Sequence, residues 1–249
     1  MDDRNCIQSV ERVFNLIELL CENGQMGVTE LSNASGLHKT TIHRFINSLC
    51  VLGYAEKCED NEKYRLTLKF LKISAAMLAS TDIRKNARPV LERLPSLTGE
   101  TVHLVERCGN DIVYIDKFES YTNSVRMVSR IGLSLPMIYT AVGKAILATL
   151  DDSEIKSIWD GTAIIAKTPK TITNFSVFMS EISKVRENGY AVDDEENELG
   201  VRCVAAAIPD IDGHCRYAFS VSAPISRMDK EKLTATAETV LKCKEEITK

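Results

Sequence analysis

Two short helical stretches joined at one glycine, followed at once by a two-strand pattern, constrain this chain more than any other feature. Residues 28–35 read as the first helix, with Thr29 as the expected N-cap. Gly36 supplies the left-handed residue that a tight helix–helix turn needs. The second helix is expected over residues 38–52. At about 100° per residue, Ile42, Phe45, Ile46, Leu49 and Leu52 gather on one of its faces. Thr40, His43, Arg44 and Asn47 project from the other, with Lys39 and Thr41 near its start. Short hydroxyls, an amide and an Arg able to make bidentate contacts suit a major-groove reader. No acidic residue lies between Leu37 and Leu52 to repel phosphate.

Helix-turn-helix geometry also occurs in folds that never meet DNA, so the next segment decides. Residues 54–58 and 63–66 flank a polar turn at 59–62, a hairpin pattern. Directly after a recognition helix, that pattern gives a winged helix. Lys63 and Arg65 are then the expected phosphate or minor-groove contacts. A helix over residues 9–20, apolar along Val10, Val13, Phe14, Ile17 and Leu20 and ended at Asn23-Gly24, completes the unit. Residues 1–75 hold nine Lys/Arg against ten Asp/Glu, so the module is not basic overall. Modest non-specific affinity is expected, with two copies needed for tight binding to a paired site.

At 249 residues the chain is long enough for this module and a larger core-bearing domain. A net charge of −4 excludes a generally polycationic nucleic-acid coat protein. No apolar run reaches spanning length and no signal-peptide core is visible, so a soluble, cytoplasmic protein with no membrane partner is expected. The eight cysteines form no C-x-x-C pair and read as buried, reduced thiols; neither a metal nor a cofactor is expected.

Residues 68–79 read as a linker helix apolar on more than one face, packed on its own domain or on a second chain. The expected organisation is residues 1–67 for the winged helix-turn-helix, 68–80 for the linker and 81–249 for the second domain. There, a helix is expected over residues 82–97, and a hairpin over 101–107 and 112–117 turns at Gly109-Asn110. A third strand follows over 125–131, then helices from Thr140, over 152–159 and over 176–187. Three strands (190–192, 202–208, 216–222) and a long helix from Asp229 end the pattern. Hairpins and helices on one antiparallel sheet make an α+β domain.

Asp193 to Glu198 holds five acids in six residues, read as a solvated acidic loop. Period-2 geometry puts Ser220 and Ser222 on one face. If Cys203 and Asp193 share it, two hydroxyls, a thiol and nearby backbone N–H groups would suit a small carboxylate or oxo group. A thiol enzyme built on Cys203 is the alternative, with His103 or His214 as base, but neither histidine sits in a thiol-enzyme signature. Gly143-Lys144 lacks the upstream glycine spacing of a phosphate loop.

Several ordered blocks together resemble the IclR-type transcriptional regulators. They include Ser9-Val10-Glu11-Arg12, Lys39-Thr40-Thr41 with His43-Arg44, Lys63-Tyr64-Arg65-Leu66 and Ser129-Arg130-Ile131-Gly132. Further blocks are Thr140-Ala141-Val142-Gly143-Lys144-Ala145, Gly189-Tyr190-Ala191-Val192-Asp193-Asp194, Gly200-Val201-Arg202-Cys203 and Phe219-Ser220-Val221-Ser222. The resemblance spans nearly the whole chain. It implies a winged-helix domain, a helical linker used in dimerisation and a GAF-like effector domain. It also implies a pocket at Ala141, Val142, Asp193, Val201, Cys203, Ser220 and Ser222, with Met127 and Leu135 on its apolar wall. Ala141-Val142 departs from the smaller pair of some members, and Arg216-Tyr217 from the small apolar residues often found there. Residues 100–104, 112–115 and 129–132 are most similar to regulators of sugar-acid catabolism such as the 2-keto-3-deoxygluconate repressors.

The expected protein is a non-enzymatic, ligand-responsive repressor acting as a dimer or tetramer. Thr40, Thr41, His43 and Arg44 would read operator DNA, with Lys39, Lys63 and Arg65 on phosphate. A small carboxylate or sugar acid would be the effector. A constitutive DNA-binding protein whose second domain only dimerises is a further alternative.

Overall fold

Val13, Leu16, Ile17 and Leu20 recur at i, i+3, i+4 and i+7, the spacing that builds one helix face, and they seat α1 (Gln8–Asn23) on the N-terminal core. The computed structural model describes residues 6–120, 129–210 and 213–248, and the chain divides into two units, residues 1–80 and 81–249. Leu16 completes the apolar face of α1 in place of Val10 and Phe14, which are exposed. The buried face is thus rotated from the one expected.

α2 (Val28–Ser35) and α3 (Lys39–Val51) are joined through Gly36 at φ 70°. The N-cap of α2 is Gly27 and not Thr29: the Glu30 carboxylate reaches back and accepts from the Gly27 N–H at 2.7 Å, satisfying one orphan donor of the first turn. Leu31, Ile42, Ile46 and Leu49 fill the core with Leu16 and Leu20, while Phe45 is half-buried and Leu52 exposed. The wing strands β1 (Ala55–Lys57) and β2 (Tyr64–Leu66) pair antiparallel, Glu56 opposite Arg65. A bridge between Met26 and Tyr64 ties the wing to the α1–α2 connection. α4 (Lys69–Ala79) buries no residue fully, and Leu71, Ile73 and Met77 are exposed.

In the second unit the expected helix over residues 82–97 is two helices, α5 (Asp82–Leu91) and α6 (Leu94–Thr98). Pro95 has no N–H to donate to Leu91 and its ring crowds that carbonyl, so the helix breaks and restarts. Six strands follow among the described residues: β3 (Thr101–Cys108), β4 (Asp111–Phe118), β5 (Ser134–Pro136), β6 (Ala191–Asp194), β7 (Val201–Ile208) and β8 (Tyr217–Pro224). They form one antiparallel sheet in the order β5-β4-β3-β8-β7-β6. Of the strand expected over 125–131, residues 125–128 lie outside the described residues. Residues 129–131 belong to no strand, and the Leu133 N–H closes a turn on the Arg130 carbonyl before β5 begins.

Alternation along the strands divides the sheet into two apolar faces. Val105, Ala191, Ala205, Ala207 and Ala218 pack under α7 (Ala141–Leu147), α8 (Asp152–Asp160) and α9 (Phe175–Asn188). Val204, Ala206, Phe219 and Val221 point to the opposite face, where α10 (Lys230–Ile247) lies against β7, β8 and α5. A single 3-10 turn, Met137–Tyr139, leads into α7, whose N-cap Thr140 accepts from the Gly143 N–H at 3.0 Å. A Cβ on Gly143 would lie 2.1 Å from the Met137 carbonyl oxygen, so this close approach of backbone to backbone requires glycine.

The eight cysteines are free. Only Cys243 is fully buried, and Cys6, Cys21 and Cys108 are exposed, against the expectation of buried thiols. Cys21 lies on the outer side of α1, and Cys108 is the last residue of β3, beside a turn. No group of metal-binding side chains occurs among the described residues.

Candidate functional site

Two candidate surfaces follow from these frames, one in each unit. In the first, Ile42, Ile46 and Leu49 anchor α3 in the core, which forces the opposite face outward. Lys39, Thr40, His43, Arg44 and Asn47 are exposed on it, and Thr41 is partly covered. The helix thus presents the group of side chains expected from its periodicity.

The wing differs from expectation in its charge. Lys63 Nζ donates to Glu30 Oε1 at 2.8 Å, and Arg65 Nε donates to Glu56 Oε1 at 2.7 Å. Lys57 is held by Glu62 in the same way. The wing cations therefore meet an acid first, and a phosphate must compete for them. Arg65 and Glu56 are directly opposed on adjacent strands, which brings unlike charges together.

In the second unit, a cavity of about 310 Å³ opens on the α7 side of the sheet. Strand register builds its floor. Ser222 pairs with Cys203 and Cys203 with Asp193, while Ser220 pairs with His103. Directly opposed residues share a face, so β3, β8, β7 and β6 present these side chains to one space. Leu135, Ala141, Val142 and Val201 also line it, so every expected pocket residue within the described segments is a lining residue. Met127 lies outside the described residues.

Sequence reasoning missed half of the lining: Tyr114, Ser129, Leu133, Thr140, Lys167, Asn197 and Glu198, and it considered His103 only as a base. His103 could have been found from the alternation of β3, but only once that strand was known to neighbour β8. Asn197 and Glu198 were hidden in the acidic run, and Lys167 sits in a segment with no periodic pattern.

That acidic run is not a solvated loop. Asp193, Glu195 and Glu196 are buried, because each carboxylate finds a partner. Lys144, fully buried, donates to Glu196 Oε1 at 2.6 Å; Lys170 pairs with Glu195 at 2.5 Å; Arg202 pairs with Asp194 at 2.6 Å. Asp193 Oδ1 accepts from the backbone N–H groups of Glu196 (2.8 Å) and Asn197 (3.4 Å). Gly143-Lys144 thus serves packing and charge pairing: the glycine lets backbone meet backbone, and the lysine neutralises the loop.

Burial and the neighbouring Glu196 carboxylate push the Asp193 carboxyl up to about 7, with Lys144 and the two backbone N–H groups opposing the rise. Burial, reinforced by Lys117, pushes His103 down to about 3, so its ring is neutral at physiological pH. Its Nε2 lies 2.6 Å from Ser129 Oγ and its Nδ1 3.3 Å from Ser222 Oγ. Ser222 Oγ in turn lies 3.5 Å from Ser220 Oγ. Burial and Asp193 push the Cys203 thiol up, the opposite of what a thiolate nucleophile needs. The cavity is therefore an apolar-walled space with hydroxyls, a neutral imidazole, a protonated thiol and a carboxyl that carries a proton near neutrality.

Comparison with known proteins places both units. The family described as bacterial transcriptional regulator IclR C-terminal matches residues 75–249, and the IclR helix-turn-helix domain matches residues 9–58. The HTH-type transcriptional regulator KdgR of Escherichia coli (strain K12) is 38% identical over 227 residues, covering 91% of this chain and 86% of its own. The DNA-binding transcriptional repressor YiaJ of the same organism is 37% identical over 225 residues, covering 89% and 79%. The crystal structure of the Thermotoga maritima IclR superposes with a TM-score of 0.75 at 32% identity, covering 96% of this chain and 97% of that one.

Proposed function

This chain belongs to the IclR family of bacterial transcriptional regulators, and we propose that it represses a catabolic operon under control of a small carboxylate or sugar acid held in the cavity of the second unit. Thr40, Thr41, His43 and Arg44 read base edges from α3, and Lys39 holds phosphate. Lys63 and Arg65 join it only by exchanging their acidic partners for phosphate. The effector lies over Asp193, Cys203, Ser220 and Ser222, walled by Leu135, Ala141, Val142 and Val201.

The observation that carries this reading is the cavity itself. Its volume falls in the range of small-molecule sites, about 300 Å³ and upward. Its polar groups converge from four separate strands. The raised Cys203 thiol and the engagement of His103 by serine hydroxyls favour a binding site over thiol catalysis. The likeness to KdgR and YiaJ supports a DNA-binding transcriptional regulator.

Assembly into a dimer or tetramer is part of the same proposal. Val10 and Phe14 on α1 and Leu71, Ile73 and Met77 on α4 are exposed, an apolar surface that a second copy would cover. Effector binding then shifts the balance between assemblies that differ in DNA affinity. Among the described residues no helix is long and apolar enough to cross a membrane.

A thermal-shift screen against small carboxylates, keto acids and sugar acids tests the effector assignment. A saturable upward shift that Ser220→Ala/Ser222→Ala abolishes is the expected result. A flat screen, or a shift that survives the double substitution, would overturn it.

A further inference from the structure

Two lysines lie near Asp193, Lys144 buried and Lys167 exposed, and they are committed differently. Lys144 is fully enclosed and spent on Glu196 at 2.6 Å, so its charge balances the loop and is closed to a ligand. Lys167 lines the cavity and, among the described residues, makes no salt bridge, although the Asp193 charge reaches it. Its Nζ donates to the amide oxygen of Asn197 at 2.8 Å and lies 4.6 Å from the centroid of the Tyr139 ring. An ammonium has three donors, so two remain for a ligand. Lys167 is the one cation among the described lining residues.

The position of this ammonium is built. Tyr139 is buried, and its hydroxyl donates to the Ala163 carbonyl at 2.9 Å and accepts from the Ile165 N–H at 2.7 Å. The ring beneath Lys167 is thereby tied to the segment that carries Lys167. Asn197, its acceptor, is held through its own backbone N–H by Asp193 Oδ1. A platform below and an acceptor beside it fix the charge before any ligand arrives, which lowers the ordering cost of binding.

Of the carboxyl groups near it, Asp193 opposes the ammonium's charge only when ionised, and its carboxyl, pushed up to about 7, keeps its proton below that pH. Asp193 Oδ1 is occupied by two backbone N–H groups, and Glu198 sits exposed at the rim. At the far side of the floor the groups are neutral: Ser220 and Ser222 two strands from β6, and His103 three. Neighbouring strands stand about 4.8 Å apart. The floor from β6 to β3 therefore spans roughly 14 Å by three such spacings, long enough for an anionic head and a hydroxylated tail.

We propose that Lys167 is the specificity-determining residue of this cavity: it takes the carboxylate of a polyhydroxy acid and leaves the ligand's hydroxyls to the His103, Ser220 and Ser222 end. This rests on the reading of the cavity as an effector site. It assigns the charge selection to a residue outside the strand-borne cluster of Asp193, Cys203 and the two serines.

Isothermal titration of the full-length protein with D-gluconate and D-galacturonate tests it, with D-glucitol as the neutral six-carbon counterpart. In K167M and K167Q the acids should bind about tenfold more weakly or worse, as for loss of a charge-assisted contact. Their advantage over D-glucitol should disappear, and K167R should restore it. K167Q keeps a donor without the charge, so it separates charge from hydrogen bonding. Undiminished acid binding in K167M, or equal losses for acid and polyol, would overturn the role of Lys167 while leaving the cavity an effector site. If neither acid binds the wild-type protein, the carboxylate reading itself falls, and the selector with it.

Discussion

Asp193 is 4% exposed, with the Glu196 carboxylate beside it and Lys144 behind that, a row of charges inside the α7 side of the sheet. Its pKa is raised from an ordinary 3.8 to about 7, so between those values the folded protein holds a proton that the unfolded chain releases. The stability this group contributes is full below its unfolded value and is lost as pH rises through 7. The expected outcome is that D193N gains on the wild type by up to a few kcal/mol as pH goes from 5 to 8, read by urea unfolding. A pH-independent difference between the two proteins would contradict the assignment. His103 behaves oppositely: its pKa is depressed to about 3, and its contribution is present above 6.5 and lost as pH falls through 3. Anionic ligands should bind more tightly at pH 6 than at pH 8, because a protonated Asp193 donates where an ionised one repels. At Gly143 the test is steric. The Cβ of G143A would meet the Met137 carbonyl at 2.1 Å, so a loss of about 3 kcal/mol is expected, at the upper end for overpacking. An unchanged melting temperature would show that the 3-10 turn gives way.

At the scale of elements, the wing and α3 contribute unequally to DNA binding. Arg65 is held by Glu56 across the β1–β2 pair, and Lys63 by Glu30, which also serves the N-terminus of α2. E56Q releases Arg65 without touching a helix cap. It should therefore tighten operator binding and steepen its salt dependence by about one phosphate contact. R44A should weaken binding without unfolding the protein, since Arg44 is exposed. Fluorescence anisotropy at several salt concentrations checks both, and an unchanged salt slope in E56Q would mean that the wing stays clear of the backbone.

Much of this scale could be read from the chain alone. The helix-turn-helix, the wing, the strand hairpins and the final helix follow from period 3.6, period 2 and turn residues, all of them local signals. What failed was partly local chemistry, at Pro95 and at Glu30, and partly the docking of one helix. The α5–α6 break comes from Pro95, the N-cap of α2 moved because Glu30 reaches Gly27, and the buried face of α1 is set by docking through Leu16. The cavity was legible on β6, β7 and β8, where alternation and family likeness agree. It was not legible at Lys167, Tyr114 and Ser129, which enter through pairings and loops distant in sequence. The burial of the acidic run also escaped notice, because its partners Lys144, Lys170 and Arg202 lie on other elements.

At the scale of the whole molecule, a regulator must bind DNA and must change that binding when it meets its ligand. The exposed apolar residues of α1 and α4 bear on the first requirement, since a paired operator needs a paired protein. A charge placed among them, as in L71E, is expected to shift sedimentation toward the monomer and weaken operator binding together. An L71E protein of unchanged mass would assign the interface elsewhere. The second requirement is the central claim, and one titration addresses it most directly. An operator duplex selected from random sequence by the protein is labelled, and its anisotropy is followed while sugar acids and keto acids are added to the wild type and to Ser220→Ala/Ser222→Ala. An effector should change the operator Kd of the wild type by about tenfold, a usual coupling size, and leave the double variant unmoved. An operator Kd indifferent to every acid, or shifted equally in both proteins, would contradict control of DNA binding through this cavity.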